Sequence, residues 1–192
     1  ATPARRAALL RYAAAHSRDA NGALAYFAMA RAESESGAHD AALSHVKSAS
    51  ARLPEIADYL TFIQGSTEYR AKAYENAART LGKFASEFST SPLRSDAAIL
   101  AANALLELGD ADGTIRLLRS PGLKALQPQF DFLLGKAYMV RGDHALAAPY
   151  LQRVAFRYPQ RPEARDAQTL LGQVENTLGA AYPPPTAADL LG

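Results

Sequence analysis

An all-α chain of consecutive antiparallel helical hairpins is predicted by three observations. Small residues recur at Ala30, Gly65, Ala102, Gly135 and Gly172, in steps of 35, 37, 33 and 37 residues. Twelve positions after the first four come Ala42, Ala77, Thr114 and Ala147, and four further on come Val46, Leu81, Leu118 and Leu151. Turn formers close the units at Pro54, Ser89 and Pro159, and the third unit closes early at Pro121-Gly122. Two antiparallel helices approach closely only where one offers the other a small residue. Each pair leaves an apolar face that the next pair covers, and a proline at the end stops the helix.

The elements follow in order. Residues 3–16 form a lone helix, expected to be the second half of a unit whose first half lies upstream. Hairpins run over 22–52, 56–88, 93–119 and 127–157, and 161–178 is the first helix of a fifth unit, which makes about ten helices. Residues 1–181 are thus the helical domain. Tyr182-Pro183-Pro184-Pro185 reads as an extended linker, and Thr186-Ala187-Ala188-Asp189 as a capped helix start, so 182–192 is a linker with the beginning of a further helix. Neither end carries a polar capping face and no initiator Met is present, so the expectation is a solenoid that continues in a longer protein. Gly82 falls inside a predicted helix at a cost on the order of 1 kcal/mol relative to Ala. The stretch 120–128 is a long connection expected to be more mobile than its neighbours.

Composition excludes several functions. With 48% hydrophobic residues the chain can build a core and is not a disordered segment. The formal charge of +2 comes from 21 basic and 19 acidic side chains, so the pI near 8.9 is a small imbalance and not a polybasic surface. The tightest basic group, Arg5-Arg6 with Arg11, is too small for a nucleic-acid footprint. There is no cysteine, which rules out disulfides, thiolate metal sites and a cysteine nucleophile and leaves the compartment open. No apolar run approaches the roughly 20 residues of a membrane span. Arg11, His16, Arg18 and Asp19 interrupt any signal-peptide core at the start.

Candidate chemistry is sparse. His16, His39, His45 and His144 show no i,i+4 pair, and none joins a His-Glu-x-x-His run, so no metal is expected. His39 and His144 read as turn residues starting second helices. Asp110-Ala111-Asp112-Gly113 lacks the further acidic ligands of a calcium loop, and Asp110 reads as a helix cap. Glu33 and Glu35 point about 200° apart on a helix and cannot act as a carboxylate pair, so Glu33-Ser34-Glu35-Ser36 reads as a polar helix end. There is no Gly-rich phosphate loop and no Gly-x-Ser-x-Gly elbow. No cofactor and no catalytic residue are expected within this chain.

The fourth unit reads Phe132-Leu133-Leu134-Gly135-Lys136-Ala137-Tyr138, then Gly142-Asp143, Ala147, Leu151, Val154 and Pro159. This resembles a tetratricopeptide (TPR) repeat, and the other units match in part: Met29-Ala30, Gly37, Ala42, Val46, Ala49 and Pro54; Gly65, Ala77, Leu81 and Phe84; Ala102, Leu105, Gly109 and Leu118. The resemblance covers about residues 3–178 and implies a right-handed superhelix whose inner groove is lined by the first helix of each hairpin. The groove positions it implies are Leu24, Phe27, Arg31, Tyr59, Phe62, Tyr69, Arg70, Ile99, Asn103, Phe132, Lys136, Met139 and Gln173. Of these, Arg31, Tyr59, Phe62, Tyr69, Arg70, Asn103, Lys136 and Met139 are the binding candidates, a mixture of aromatic and basic groups suited to an extended peptide or polymer. Phe27, Phe62 and Phe132 can equally be core residues between hairpins. The Lys and Asn pair of the chaperone-tail clamp is absent, since the corresponding pairs are Phe27/Arg31, Phe62/Ser66, Ile99/Asn103 and Phe132/Lys136.

The joints narrow the resemblance. Residues 156–164 (Phe-Arg-Tyr-Pro-Gln-Arg-Pro-Glu-Ala), residues 87–97 (Glu-Phe-Ser-Thr-Ser-Pro-Leu-Arg-Ser-Asp-Ala) and Leu53-Pro54-Glu55-Ile56-Ala57-Asp58-Tyr59 are similar to joints of bacterial envelope TPR proteins. They resemble the non-catalytic superhelical region of soluble lytic transglycosylases, whose lysozyme-like catalytic domain is absent here. Such joints also occur in the division coordinator of the Tol-Pal system and in a lipoprotein of the outer-membrane assembly machine. The resemblance therefore implies a periplasmic binding module, with a peptidoglycan strand or a protein segment as partner. The oligomeric state stays open.

Overall fold

The computed structural model describes residues 3–123 and 128–186. The chain is all-helical, with no strand among the described residues. Its helices are α1 (Pro3–Ala15), α2 (Ala20–Ser36), α3 (His39–Ser50), α4 (Ala57–Arg70), α5 (Tyr74–Gly82), α6 (Phe84–Glu87), α7 (Arg94–Glu107), α8 (Ala111–Leu118), α9 (Gln129–Arg141), α10 (His144–Gln152) and α11 (Glu163–Leu178). Ten of these eleven segments are eight residues or longer. Two compact units result, Ala1–Ala101 and Ala102–Gly192, with the boundary inside α7.

The repeat is visible in the backbone. Each hairpin turns through a residue with positive φ, at Gly37, Lys72, Gly109 and Gly142. These lie seven positions after Ala30, Gly65, Ala102 and Gly135. The next residue, Ala38, Ala73, Asp110 or Asp143, has φ between −87° and −82° and ψ between 60° and 76°. Its N–H donates to the carbonyl of Glu33, Glu68, Leu105 or Tyr138, at 2.8–2.9 Å in every case. That bond satisfies a carbonyl left free at the end of the first helix. Glycine is the expected residue at such a φ, because a Cβ meets the carbonyl there. Lys72, with φ 59°, is the exception. Lys72→Gly is therefore expected to raise stability by roughly 0.5–1 kcal/mol, read as a higher urea midpoint, and a lower midpoint would refute strain at this turn.

The side chains keep the same register. Ala30, Ala42 and Val46 are buried in the first hairpin, and Ala77 and Leu81 in the second. Ala102, Thr114 and Leu118 are buried in the third, and Ala147 and Leu151 in the fourth. A Cβ placed on Gly65 would fall 2.3 Å from Leu81 Cγ, and one on Gly135 2.7 Å from Leu151 Cγ. Those glycines let the facing leucines close onto the helix axis. Thr114 stands where the other units have Ala, and its hydroxyl donates to the Asp110 carbonyl at 3.0 Å, so its burial leaves no donor unpaired. In the first unit, Val46, Ala49, Leu53, Leu60 and Ile63 join Ala23 and Ala30 in one core cluster. In the second unit α9 packs on α8, α10 and α11.

Several sequence expectations change. Glu33 and Ser34, read as part of a polar helix end, are buried at 3% exposure each. Glu35 and Ser36 beside them are exposed. Glu33 faces α1 and α3, where Arg6 and His45 wait for it, so the polar run is split by the helix surface. Gly172, read as a packing residue, has open space where its Cβ would be. Gly82 is the last residue of α5, after which Lys83 turns and α6 places Phe84, 0% exposed, in the core. Gly22 was not singled out by the sequence, yet a Cβ there would lie 2.0 Å from the His16 carbonyl oxygen. It permits the tight passage from α1 into α2, which Asp19 caps by accepting from the Gly22 N–H at 3.0 Å. That bond, with the one to His16, holds the Asp19 carboxyl below its ordinary value of 3.8.

The fourth hairpin also departs from a plain helix pair. Pro149 lies inside α10 and supplies no N–H, and after Gln152 the residues Arg153–Arg157 form a single π-helical turn. Residues 182–186 have no regular structure, as expected of the linker. They are nevertheless held, because the buried Gln152 amide donates to the Tyr182 hydroxyl at 3.1 Å and to the Pro183 carbonyl at 2.9 Å. The expected helix start at 186–189 lies outside the described residues beyond Thr186, and so do 124–127 of the long connection.

Candidate functional site

Helical spacing brings five of the implied groove positions, four of them binding candidates, together in the first unit. On α2, Phe27, Arg31, Ser34 and Glu35 follow one another at i, i+4, i+7 and i+8, so they share a face. On α4, Tyr59, Phe62, Ile63, Ser66 and Arg70 do the same. With Leu93, these residues line a cavity of about 240 Å³. Phe27, Arg31, Tyr59, Phe62 and Arg70 are the implied groove positions among them, and the last four are the binding candidates. Phe27 and Phe62 serve both of the roles left open for them. Phe27 packs on the core cluster and lines the cavity. Phe62 meets Phe84 edge-on at 6.3 Å while its other side borders the cavity. Tyr59 is 44% exposed, so its ring is open to a ligand.

The polar rim is built from below. Arg70 Nη1 donates to Ser34 Oγ at 2.8 Å. Ser34 Oγ lies 2.7 Å from Thr67 Oγ1, which lies 2.6 Å from the Ile63 carbonyl. Each hydroxyl carries one proton, so one order satisfies all three contacts: Arg70 donates to Ser34, Ser34 to Thr67 and Thr67 to the carbonyl. Ser34 and Thr67 are both buried, which gives the guanidinium a fixed anchor. Arg31 is held differently, by Glu35 at 3.5 Å with both side chains largely in solvent. Such a pair contributes little and yields easily.

The remaining predicted residues do not join this cavity. Tyr69 leaves the lining and packs on Tyr74, ring centroids 5.6 Å apart. Asn103, Lys136 and Met139 belong to the second unit. There Lys136 Nζ lies 5.7 Å from the Phe132 ring, and Met139 Sδ lies 3.3 Å from His144 Nδ1.

Two polar clusters escaped sequence reasoning. In the first unit, Glu33 forms ion pairs with Arg6 at 2.6 Å and with His45 at 2.5 Å, tying α1, α2 and α3 together. The His45 ring stacks on Tyr26 at 5.4 Å. In the second unit, Tyr138 and Tyr150 stack at 5.6 Å. Arg119 and Arg141 lie against Tyr138, and Arg153 against Tyr150, at 4.8–5.7 Å. The Tyr150 hydroxyl, 2.7 Å from Arg119, holds that guanidinium above its ordinary value. Asp112 and Asp143 do the same for Arg141. Arg153 grips the buried Asp131 with two bonds, 3.1 and 2.9 Å. The ties of Glu33 to Arg6 and His45, the Tyr138–Tyr150 stack, and the contacts of Arg119 with both tyrosines and of Arg153 with Asp131 join residues 12 or more positions apart, which no local spacing announces. Asp110, by contrast, caps α8 as its sequence context implied, accepting from the Gly113 N–H at 2.7 Å.

No protein-family model matches the chain, and no curated protein or solved structure matches it significantly.

Proposed function

We propose that this chain is a non-catalytic, tetratricopeptide-type binding module of a bacterial cell-envelope protein, the superhelical region of a lytic transglycosylase, and that it holds peptidoglycan strands. One observation carries the reading. Arg31, Tyr59, Phe62 and Arg70, four groove positions implied by the resemblance, come from successive hairpins and line one cavity. Aromatic faces pack on the apolar faces of sugar rings, and guanidinium groups take the carboxylates of the attached peptides. The four repeated turns support the tetratricopeptide-type reading, and the joints at 53–59, 87–97 and 156–164 support the envelope location.

Co-sedimentation with purified peptidoglycan sacculi tests this. The chain is expected to pellet at low salt and to be released as salt rises, since screening weakens exposed arginine contacts. Tyr59→Ala removes a ring that is 44% exposed and is expected to weaken retention roughly five- to tenfold without loss of helicity. Absence of retention at low salt would sink the peptidoglycan reading. A second reading would then stand, an envelope adaptor for a protein segment, which the apolar walls of Phe27, Ile63 and Leu93 favour.

A further inference from the structure

Arg31 and Arg70 are the two arginines of the cavity, and they differ in their partners. Arg31 has Glu35. Arg70 has no carboxylate partner among the described residues, and Ser34 takes only one of its five N–H donors. A guanidinium anchored at one nitrogen by a buried hydroxyl keeps its planar fork oriented and still open to a carboxylate. The cavity beside it, about 240 Å³, is smaller than the roughly 300–1,000 Å³ that encloses a whole small ligand. It therefore fits one group of a longer molecule.

We infer that Arg70 is the carboxylate reader of this groove, and that the carboxylate it takes belongs to the peptide stems of a peptidoglycan strand whose sugar or apolar portion lies against Tyr59 and Phe62. This rests on the peptidoglycan reading above and goes beyond it. The groove on this view distinguishes peptide-bearing glycan from bare glycan. Arg70 is a binding residue, and Ser34 is the positioning residue that holds it.

Three ligands test this by equilibrium binding to the immobilised full chain: sacculi fragmented by sonication, the same fragments with carboxylates amidated by carbodiimide, and the soluble glycan strands left after an amidase removes the stem peptides. Wild type is expected to bind the untreated fragments at least about tenfold more tightly than either altered ligand. Arg70→Gln is expected to lose that difference, binding all three ligands as wild type binds the amidated one. Arg70→Lys keeps the charge without the fork and is expected to fall between them. Because Arg70 is exposed, helicity and melting temperature are expected to stay near wild type. Ser34→Ala, which leaves the guanidinium in place but frees it, gives a second, weaker loss on the untreated fragments only. Equal binding of wild type to all three ligands overturns the inference and leaves the glycan reading standing. Unchanged binding by Arg70→Gln overturns the inference as well. Retention of none of the three, with binding of an acidic phenylalanine-containing peptide, overturns both and moves the groove to a protein partner.

Discussion

Gly65→Ala and Leu81→Val are each expected to destabilise the protein, by about 1–3 kcal/mol and about 1 kcal/mol, while the double variant costs clearly less than their sum. The reason is the shared space between the two helices of the second hairpin. The added Cβ would fall 2.3 Å from Leu81 Cγ and 2.5 Å from its Cδ2, and Leu81 is 0% exposed, so it has nowhere to swing. Shortening Leu81 to valine opens room for that Cβ. The first hairpin already uses the smaller combination, Ala30 opposite Val46, with both side chains buried. The double variant converts the second hairpin to the first hairpin's pairing. A double-mutant cycle by urea unfolding should give a favourable coupling above about 1 kcal/mol. Simple additivity would show that the two positions do not compete for one space. Leu81→Ala, which leaves a cavity instead of relieving a clash, should cost about 2–5 kcal/mol and gain little from Gly65→Ala.

The second large effect lies in the other unit. Arg153→Met is expected to destabilise by roughly 3 kcal/mol, because it leaves the Asp131 carboxylate buried without its partner. The Asp131 side chain is 5% exposed and that of Arg153 25%. Water can therefore reach the arginine side of the pair, which places the cost at the lower end for a buried pair. The doubly substituted Asp131→Asn/Arg153→Met chain should recover most of the loss, since no buried charge remains. Arg153→Lys should not rescue, because an ammonium cannot make both bonds to Asp131 and lie flat against the Tyr150 ring 4.8 Å away. Thermal melts of the three variants beside wild type decide this. A single Arg153→Met variant as stable as wild type would show that the pair is not an anchor of α9 against the turn after α10.

These two effects differ in how far the sequence foretells them. The Gly65–Leu81 contact was legible, because the small and large positions repeat at a constant separation and helix geometry turns that separation into a contact. Helix ends were legible for the same kind of reason at Gly37, Gly109, Gly142 and Asp110, where backbone conformation or capping selects the residue type. Lys72 hid the second turn, since only its place in the register, not its chemistry, marks it as a turn residue. Part of the cavity lining was legible through helical periodicity, which aligned Arg31 with Phe27 and Arg70 with Phe62. Tyr69 does not line the cavity, because it lies beside Arg70 in sequence but one residue's rotation, about 100°, away around the helix.

By itself, then, the sequence determined an all-helical chain of repeated hairpins, the position of three of the four turns and many of the residues that pack inside each pair. These are short-range consequences of 3.6-residue periodicity, glycine's freedom at positive φ and the volumes of facing side chains. Only the tertiary structure decided which polar groups are buried and paired: Glu33 with Arg6 and His45, Asp131 with Arg153, and Ser34 under Arg70. A charged side chain carries no mark in sequence that it will be desolvated, because its surroundings come from helices that fold onto it from elsewhere in the chain. The open fork of Arg70 follows from that second kind of information, and it is the feature on which the ligand assignment turns.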